Sequence, residues 1–152
     1  MQEITHIIVP VDLEQHTEKL VNFAIGIAGK LDCEITFFHG VEYAATSLPY
    51  MGEMAMGSFS YDDYTFARVD QARKKLDEIV KKCEGKCKKC SSKVATGDVV
   101  DEIIEYAKDQ KADMIIIGTH GRRAIEKILL GSVAERVIKR AHCPTLVMNP
   151  YR

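Results

Sequence analysis

Five short runs of β-forming residues alternate with four stretches long enough to be helices, and this alternation narrows the available folds more than any other feature of the chain. Ile7-Ile8-Val9 ends at Pro10-Val11-Asp12; Leu20, Phe23, Ala24, Ile27, Ala28 and Leu31 then recur at the three-and-four spacing of an amphipathic helix. Glu34–Val41 is rich in β-formers, and Val69, Ala72, Leu76, Ile79, Val80 and Cys83 form a second helical stripe from about 61 to 84. Lys93-Val94-Ala95-Thr96 predicts a short third strand that stops at Gly97-Asp98. Asp98 is placed to cap a helix carrying Val100, Ile103, Ile104 and Ala107, whose first turn holds Asp101 and Glu102 at the positive end of the dipole. Met114-Ile115-Ile116-Ile117 is continuously apolar, as expected of a strand covered on both faces. After a loop from 119 to about 130, Ser132 opens a helix with Ala134, Val137, Ile138 and Ala141 turned inward, and Thr145-Leu146-Val147-Met148 predicts the last strand.

Strand–helix alternation with right-handed crossovers requires a mostly parallel sheet between two helix layers, and such sheets take ligands beyond the carboxyl ends of their strands. Function is therefore expected at the ends of the first and fourth strands. A length of 152 residues suits a single domain spanning 1–152, and 46% hydrophobic with 28% charged residues supports a buried core. The formal charge of −1 gives no reason to expect nucleic acid or an anionic membrane as partner. No apolar run approaches the roughly 20 residues that span a bilayer. The first residues, with Glu3 and His6, do not read as a secretory signal, so a cytoplasmic protein with no membrane insertion is expected. Residues 42–60, with Tyr43, Tyr50, Met51, Met54 and Met56, are too long for an ordinary connection; they offer either a partner surface or packing over the helices.

The segment that carries chemistry is Gly118-Thr119-His120-Gly121, followed nine residues later by Gly131-Ser132 at the start of a helix. Gly118 and Gly121 let backbone amides approach a ligand that a Cβ would repel. Unpaired amides and the positive dipole end at Gly131-Ser132-Val133 attract an anion. Together they suit a di- or triphosphate, with Arg122 and Arg123 adding charge at the rim. The dipole is worth about 0.3 to 1 kcal/mol and each hydrogen bond to a charged group about 1.5 to 3, so converging donors must dominate. His120 either donates to the phosphates or shapes the turn. No Gly-x-Gly-x-x-Gly follows the first strand and no Gly-x4-Gly-Lys-Ser/Thr occurs, which argues against a dehydrogenase or a P-loop NTPase.

The spacing Gly-x-x-Gly-x9-Gly-Ser, the opening Ile8-Val9-Pro10-Val11-Asp12, the stretch Ala112–Gly121 and the close Gly131-Ser132-Val133-Ala134-Glu135 with Cys143-Pro144 resemble the universal stress protein family, in its ATP-binding branch. The resemblance implies a Rossmann-like three-layer α/β sandwich of the adenine nucleotide alpha hydrolase type, with a five-stranded parallel sheet in the order 3-2-1-4-5. It further implies ATP at the switch between strands one and four, with Mg2+ or Mn2+ carried by the phosphates. By that similarity Pro10, Val11, Asp12 and Val41 would form the adenine pocket and Gly97 the ribose side. Gly118, Thr119, Gly121, Gly131, Ser132 and Val133 would hold the phosphates. Homodimerisation through the apolar last strand and an unidentified protein partner are also expected. The chain departs from the family where Asp12-Leu13-Glu14 replaces the usual Asp-Gly-Ser, and where Gly40 replaces a bulkier residue before Val41. Without the family, Asp12 reads equally as an acceptor for an amine or ribose hydroxyl and as a cap on its own loop.

Cys83-Glu-Gly-Lys-Cys87-Lys-Lys-Cys90 joins the second helix to the third strand, and is a candidate metal or redox cluster. Cys33 and Cys143 are expected beside core strands, away from it. Five lysines between 81 and 89 could lower the thiol pKa values; the plain alternative is a solvated basic loop. Three functions follow: a nucleotide-dependent stress-response module with little or no turnover, a slow ATPase or phosphotransferase, and a thiol-based metal or redox sensor. The first is favoured because the glycine loop shows no evident catalytic base or water-positioning acid; Glu126 lies on its far part.

Overall fold

A computed structural model describes residues 2–43, 61–119 and 130–150. The strands are β1 (His6–Pro10), β2 (Glu34–Val41), β3 (Lys89–Thr96), β4 (Met114–Gly118) and β5 (Thr145–Met148), and the helices are α1 (Thr17–Leu31), α2 (Tyr61–Cys83), α3 (Val99–Asp109) and α4 (Ser132–Arg140). All strand pairs are parallel and the sheet order is β3-β2-β1-β4-β5, the order that the family resemblance implies.

Alternation along each strand sends side chains to opposite faces, and each face has its own core. Ile7, Val9, Ile35, Phe37 and Ile116 pack with Leu20, Val21, Ala24, Ile25 and Ala28 of α1 and with Leu76 and Cys83 of α2. Ile8, Phe38, Ile115 and Ile117 pack with Val100, Ile103 and Ala107 of α3 and Ala134 and Val137 of α4. Burial of Ile115, Ile116 and Ile117 from both sides is why β4 reads as an unbroken apolar run. The α1 face is rotated from the sequence expectation: Val21 and Ile25 are buried, whereas Phe23 and Leu31 are 36% and 45% exposed. On α4, Ile138 also points outward, at 42% exposed, instead of inward.

The third strand is longer than expected. It begins at Lys89, four residues before Lys93, and pairs with the whole of β2, with Cys90 opposite Ile35 and Ser91 opposite Thr36. Its half-buried, polar residues hide this in the sequence, because an outer strand without a strong apolar alternation carries little periodic signal. Among the described residues no helix is long and apolar enough to cross a membrane.

Candidate functional site

β1 is the switch point: β2 lies on one side and β4 on the other, so the connections leaving β1 and β4 diverge to opposite faces. Just past β1, the Val11 amide donates to Phe38 O at 2.8 Å, and Val11 O accepts from His39 Nδ1 at 2.7 Å. Asp12 Oδ1 accepts the Glu14 amide at 3.0 Å and Thr17 Oγ1 at 3.1 Å, so it holds its own loop together. Leu13 lies between these with φ of 62°, the left-handed conformation that glycine adopts freely. Leu13 thus holds a glycine-favouring conformation at a cost of about 1–2 kcal/mol.

On the β2 side, Val41 ends the strand and its carbonyl accepts the Gly97 amide at 3.0 Å. Gly97 is buried with φ of 141°, a conformation that strains any L side chain, so glycine is favoured there; a Cβ would lie 2.9 Å from Glu102 Oε1, a contact that the flexible carboxylate can relieve by swinging aside. Gly40 also has a local reason: a Cβ would meet the Val99 side chain at 3.0 and 3.2 Å. Val99 of α3 fills the space that a bulkier residue at position 40 would take.

On the β4 side, the Thr119 amide continues the ladder to Met148 O at 2.9 Å, and Thr119 O accepts the Gly131 amide at 2.6 Å. The two described ends of the glycine loop are therefore bonded to each other, and α4 starts where β4 stops. Its N-cap is Gly131, which has no side chain to satisfy the first turn, and the first intrahelical donor is the Glu135 amide, to Gly131 O at 2.9 Å. The amides of Ser132 and Val133 lie ahead of it at the positive end of the helix. By contrast, α3 is capped by Asp98, whose Oδ1 accepts the Asp101 amide at 3.0 Å. That amide, followed by Arg136 at 3.3 Å, draws the Asp98 carboxyl below its usual range despite some opposing burial. Arg140 meets Asp101 at 2.6 Å, so two ion pairs bind the helix after Gly97 to the helix after Gly131.

Pro10, Val11 and Asp12 leave β1 bonded to Phe38 and His39 of β2, and Val41 and Gly97 are bonded to each other farther along the carboxyl edge, while Gly118, Thr119, Gly131, Ser132 and Val133 meet at the end of β4 on the same edge. His120, Gly121 and Arg122 lie outside the described residues, as do Arg123, Glu126 and the segment 44–60. Sequence reading missed His39 and Arg136. His39 shows no motif, but any buried carbonyl at a strand exit needs a donor; Arg136 lies one helical turn after Ser132, on the side that faces a capping aspartate.

The cysteines differ from expectation. Cys90 lies in β3, not in a loop, and buried Cys33 joins Cys83, Cys87 and Cys90 in one apolar layer. Burial, reinforced by the Cys90 thiol, pushes Cys83 up to about 12, and burial does most to push Cys87 and Cys90 up to about 11. The lysines do not prevail: Lys86 pulls Cys83 down, but desolvation outweighs it.

These features define a doubly wound parallel α/β protein with an uncapped helix start at its switch point. Residues 3–149 match the universal stress protein family, and the chain belongs to that family. It is 35% identical over 143 residues to universal stress protein MJ0531 of Methanocaldococcus jannaschii, covering 94% of this chain and 81% of that one. It is similar in fold to universal stress protein UspA from Lactobacillus plantarum, with a TM-score of 0.81, 19% identity and coverage of 97% and 99% of the two chains. A universal stress protein solved in complex with cAMP aligns with a TM-score of 0.70 at 18% identity, covering 98% and 99%. The Archaeoglobus fulgidus protein in complex with dAMP aligns at 0.63 and 21%, covering 96% and 98%.

Proposed function

We propose that the chain binds an adenine nucleotide, ATP by preference, at the carboxyl edge between β1 and β4, and works as a nucleotide-dependent module with little or no turnover. The observation that carries this reading is the 2.6 Å bond from the Gly131 amide to Thr119 O, which sets an uncapped helix start at the end of β4. Such a start favours a phosphate because the first amides of a helix have no intrahelical acceptor and the dipole is positive there. Neighbours in fold that carry cAMP and dAMP support an adenine ligand.

In this reading Pro10, Val11 and Val41 flank the base. Asp12, whose Oδ1 is committed to its loop, offers its other oxygen to an amine or hydroxyl. Gly97 takes the ribose side; Gly118, Thr119, Gly121, Gly131, Ser132 and Val133 take the phosphates, with His120 and Arg122 beside them. Mg2+ or Mn2+ would arrive on the phosphate oxygens. The edge strand β5, bordered among the described residues by β4 alone and half-buried along its length, would pair two copies.

Nucleotide analysis of heat-released ligand and a single-turnover ATP assay test the reading: bound ATP should persist for hours, and prompt ADP release would replace the module by an enzyme. Gly121→Val should weaken ATP at least about tenfold by calorimetry, because a branched side chain would stand in the phosphate approach. Unchanged affinity removes the site.

A further inference from the structure

The amino ends of the strands, opposite the nucleotide edge, hold a group of thiols that the proposed function does not use. Cys33 directly precedes β2, Cys83 closes α2, Cys87 lies in the turn that follows, and Cys90 is the second residue of β3; all are free thiols in one apolar layer. Geometry singles out one pair among them. Cys83 Sγ and Cys87 Sγ are 3.5 Å apart, and Cys87 Sγ also donates to Lys89 O at 3.5 Å. Among the described residues no three His, Cys, Asp or Glu side chains are arranged to hold a metal ion, so the unit to explain is a dithiol.

The two members of the pair differ as an oxidisable pair requires. Cys83 is fully buried at the end of a helix, whereas Cys87 is half-buried in a turn and is the sulfur that a small oxidant meets first. The turn is seated by local bonds: the Lys86 amide donates to Cys83 O at 3.0 Å and the Lys88 amide to Cys33 O at 3.3 Å, with Gly85 between at φ of 77°. Gly29 of α1 leaves room for it, since a Cβ there would lie 2.5 Å from Lys86 O. Cys90 also shares a hydrogen bond with Cys83, but it is paired with Ile35 in the sheet, so its backbone is held by the ladder while that of Cys87 follows only the turn. Closing Cys83 and Cys87 to a bond of about 2.05 Å therefore asks for side-chain rotation and a small movement of the turn, and leaves the sheet as it is.

We propose that Cys87 and Cys83 form a reversible dithiol–disulfide pair, a modification site at which a hydroperoxide oxidises the chain. The Cys87 thiolate attacks one oxygen of the hydroperoxide and the O–O bond breaks; Cys87 becomes a sulfenic acid, and the departing alkoxide or hydroxide takes up the proton that Cys87 gave up. The Cys83 sulfur then attacks the Cys87 sulfur: the S–S bond forms, the S–O bond breaks, and the Cys83 proton leaves with the hydroxide as water. The two thiols lose two electrons and the hydroperoxide gains them. A small dithiol reverses the step by exchange and is itself oxidised.

The surroundings set the rate. Burial, and then the neighbouring Cys83 thiol, push Cys87 up to about 11, and burial does most to push Cys83 up to about 12. The groups that face the pair are Cys33, Cys90, Glu84 and Lys86; Glu84 opposes a thiolate at Cys90 and Lys86 favours one at Cys83. The reactive thiolate is therefore scarce at neutral pH, and oxidation should accelerate about tenfold for each pH unit until Cys87 titrates.

The test treats the reduced, full-length chain with hydrogen peroxide, quenches it in acid over time, alkylates it after denaturation and maps it by mass spectrometry. One disulfide, between Cys83 and Cys87, is expected, with two hydrogens lost from the intact mass and regained with dithiothreitol, and with Cys33 and Cys143 alkylated. Cys87→Ser, at a half-buried position and checked for folding by circular dichroism, should abolish it. Cys83→Ser should leave Cys87 as a sulfenic acid that dimedone traps, and Cys143→Ser, on the opposite face of the sheet, should change nothing. Thiols that survive in the folded chain under peroxide that oxidises the same chain in urea overturn the proposal. So does a Cys83–Cys90 disulfide in place of Cys83–Cys87, or Cys87 carried on to sulfinic acid with no disulfide. ATP affinity is read separately, so either site can fail alone.

Discussion

Gly26 and Gly29 lie three residues apart in α1 and should respond in opposite senses to the same added methyl group. At Gly26 nothing stands within 4 Å of a built Cβ, so Gly26→Ala removes unfolded-chain entropy and should stabilise by about 0.5–1 kcal/mol. At Gly29 the Cβ would lie 2.5 Å from the Lys86 carbonyl, so Gly29→Ala must push the cysteine loop away and should cost about 1–3 kcal/mol. Paired thermal melts check both signs. Gly97 is constrained differently, by its φ of 141°, since the Glu102 carboxylate beside it can swing aside. Gly97→Ala should destabilise by about 1–3 kcal/mol in urea titration, and a loss below half a kilocalorie per mole, about 0.5, would mean that the turn relaxes freely. Leu13 is the converse case, an ordinary side chain held at φ of 62°. These residues show the limit of local reading. Gly97 is visible in the sequence as a turn residue, but the difference between Gly26 and Gly29 depends on a carbonyl nearly sixty positions downstream.

At the scale of elements, Asp113 joins the entry of β4 to that of β1. Its Oδ2 accepts the Thr5 amide at 2.9 Å, Thr5 Oγ1 at 2.7 Å and the His6 amide at 3.1 Å, and its Oδ1 accepts Gln2 Nε2 at 3.3 Å. Burial alone would raise this carboxyl, but the donors from Thr5, His6 and Gln2 outweigh it and hold it below the usual range. The unfolded chain therefore takes up the proton first as pH falls, so the stabilisation is present above about pH 4 and is lost as pH drops through the folded value. Asp113→Asn should lower stability by about 1–3 kcal/mol at neutral pH and flatten the acid limb of the stability curve; parallel acid limbs in the two proteins would assign that loss to other carboxylates. The helices divide in the same way between what is local and what is not. Asp98 as the cap of α3 was legible from Gly-Asp before a periodic apolar stripe, and its Oδ1 does receive the Asp101 amide. The buried face of α1 was not, since Phe23 and Leu31 fit the period as well as Val21 and Ile25, and only the position of the sheet selects between the two stripes.

For the whole molecule, the prediction with the largest consequence concerns β5. It is an edge strand whose four side chains are all half-buried, and our reading gives it a second copy of the chain. Light scattering across a concentration series should return a dimer, and a monomer at every concentration would remove that reading. The sequence by itself determined the parallel α/β class, because apolar runs at strand length alternating with helical stripes leave no other way to bury both. It also marked Gly118, Gly131 and Ser132, since residue types that free backbone amides are recognisable one at a time. Only the tertiary structure decided that β3 starts at Lys89, that His39 fastens the exit of β1, and that Cys33 joins Cys83, Cys87 and Cys90 at the amino ends of the strands. The physical reason is the range of the interactions: propensity and period act over a few neighbouring residues, whereas strand pairing, burial and thiol clustering depend on groups separated by fifty or more positions that meet when the layers close.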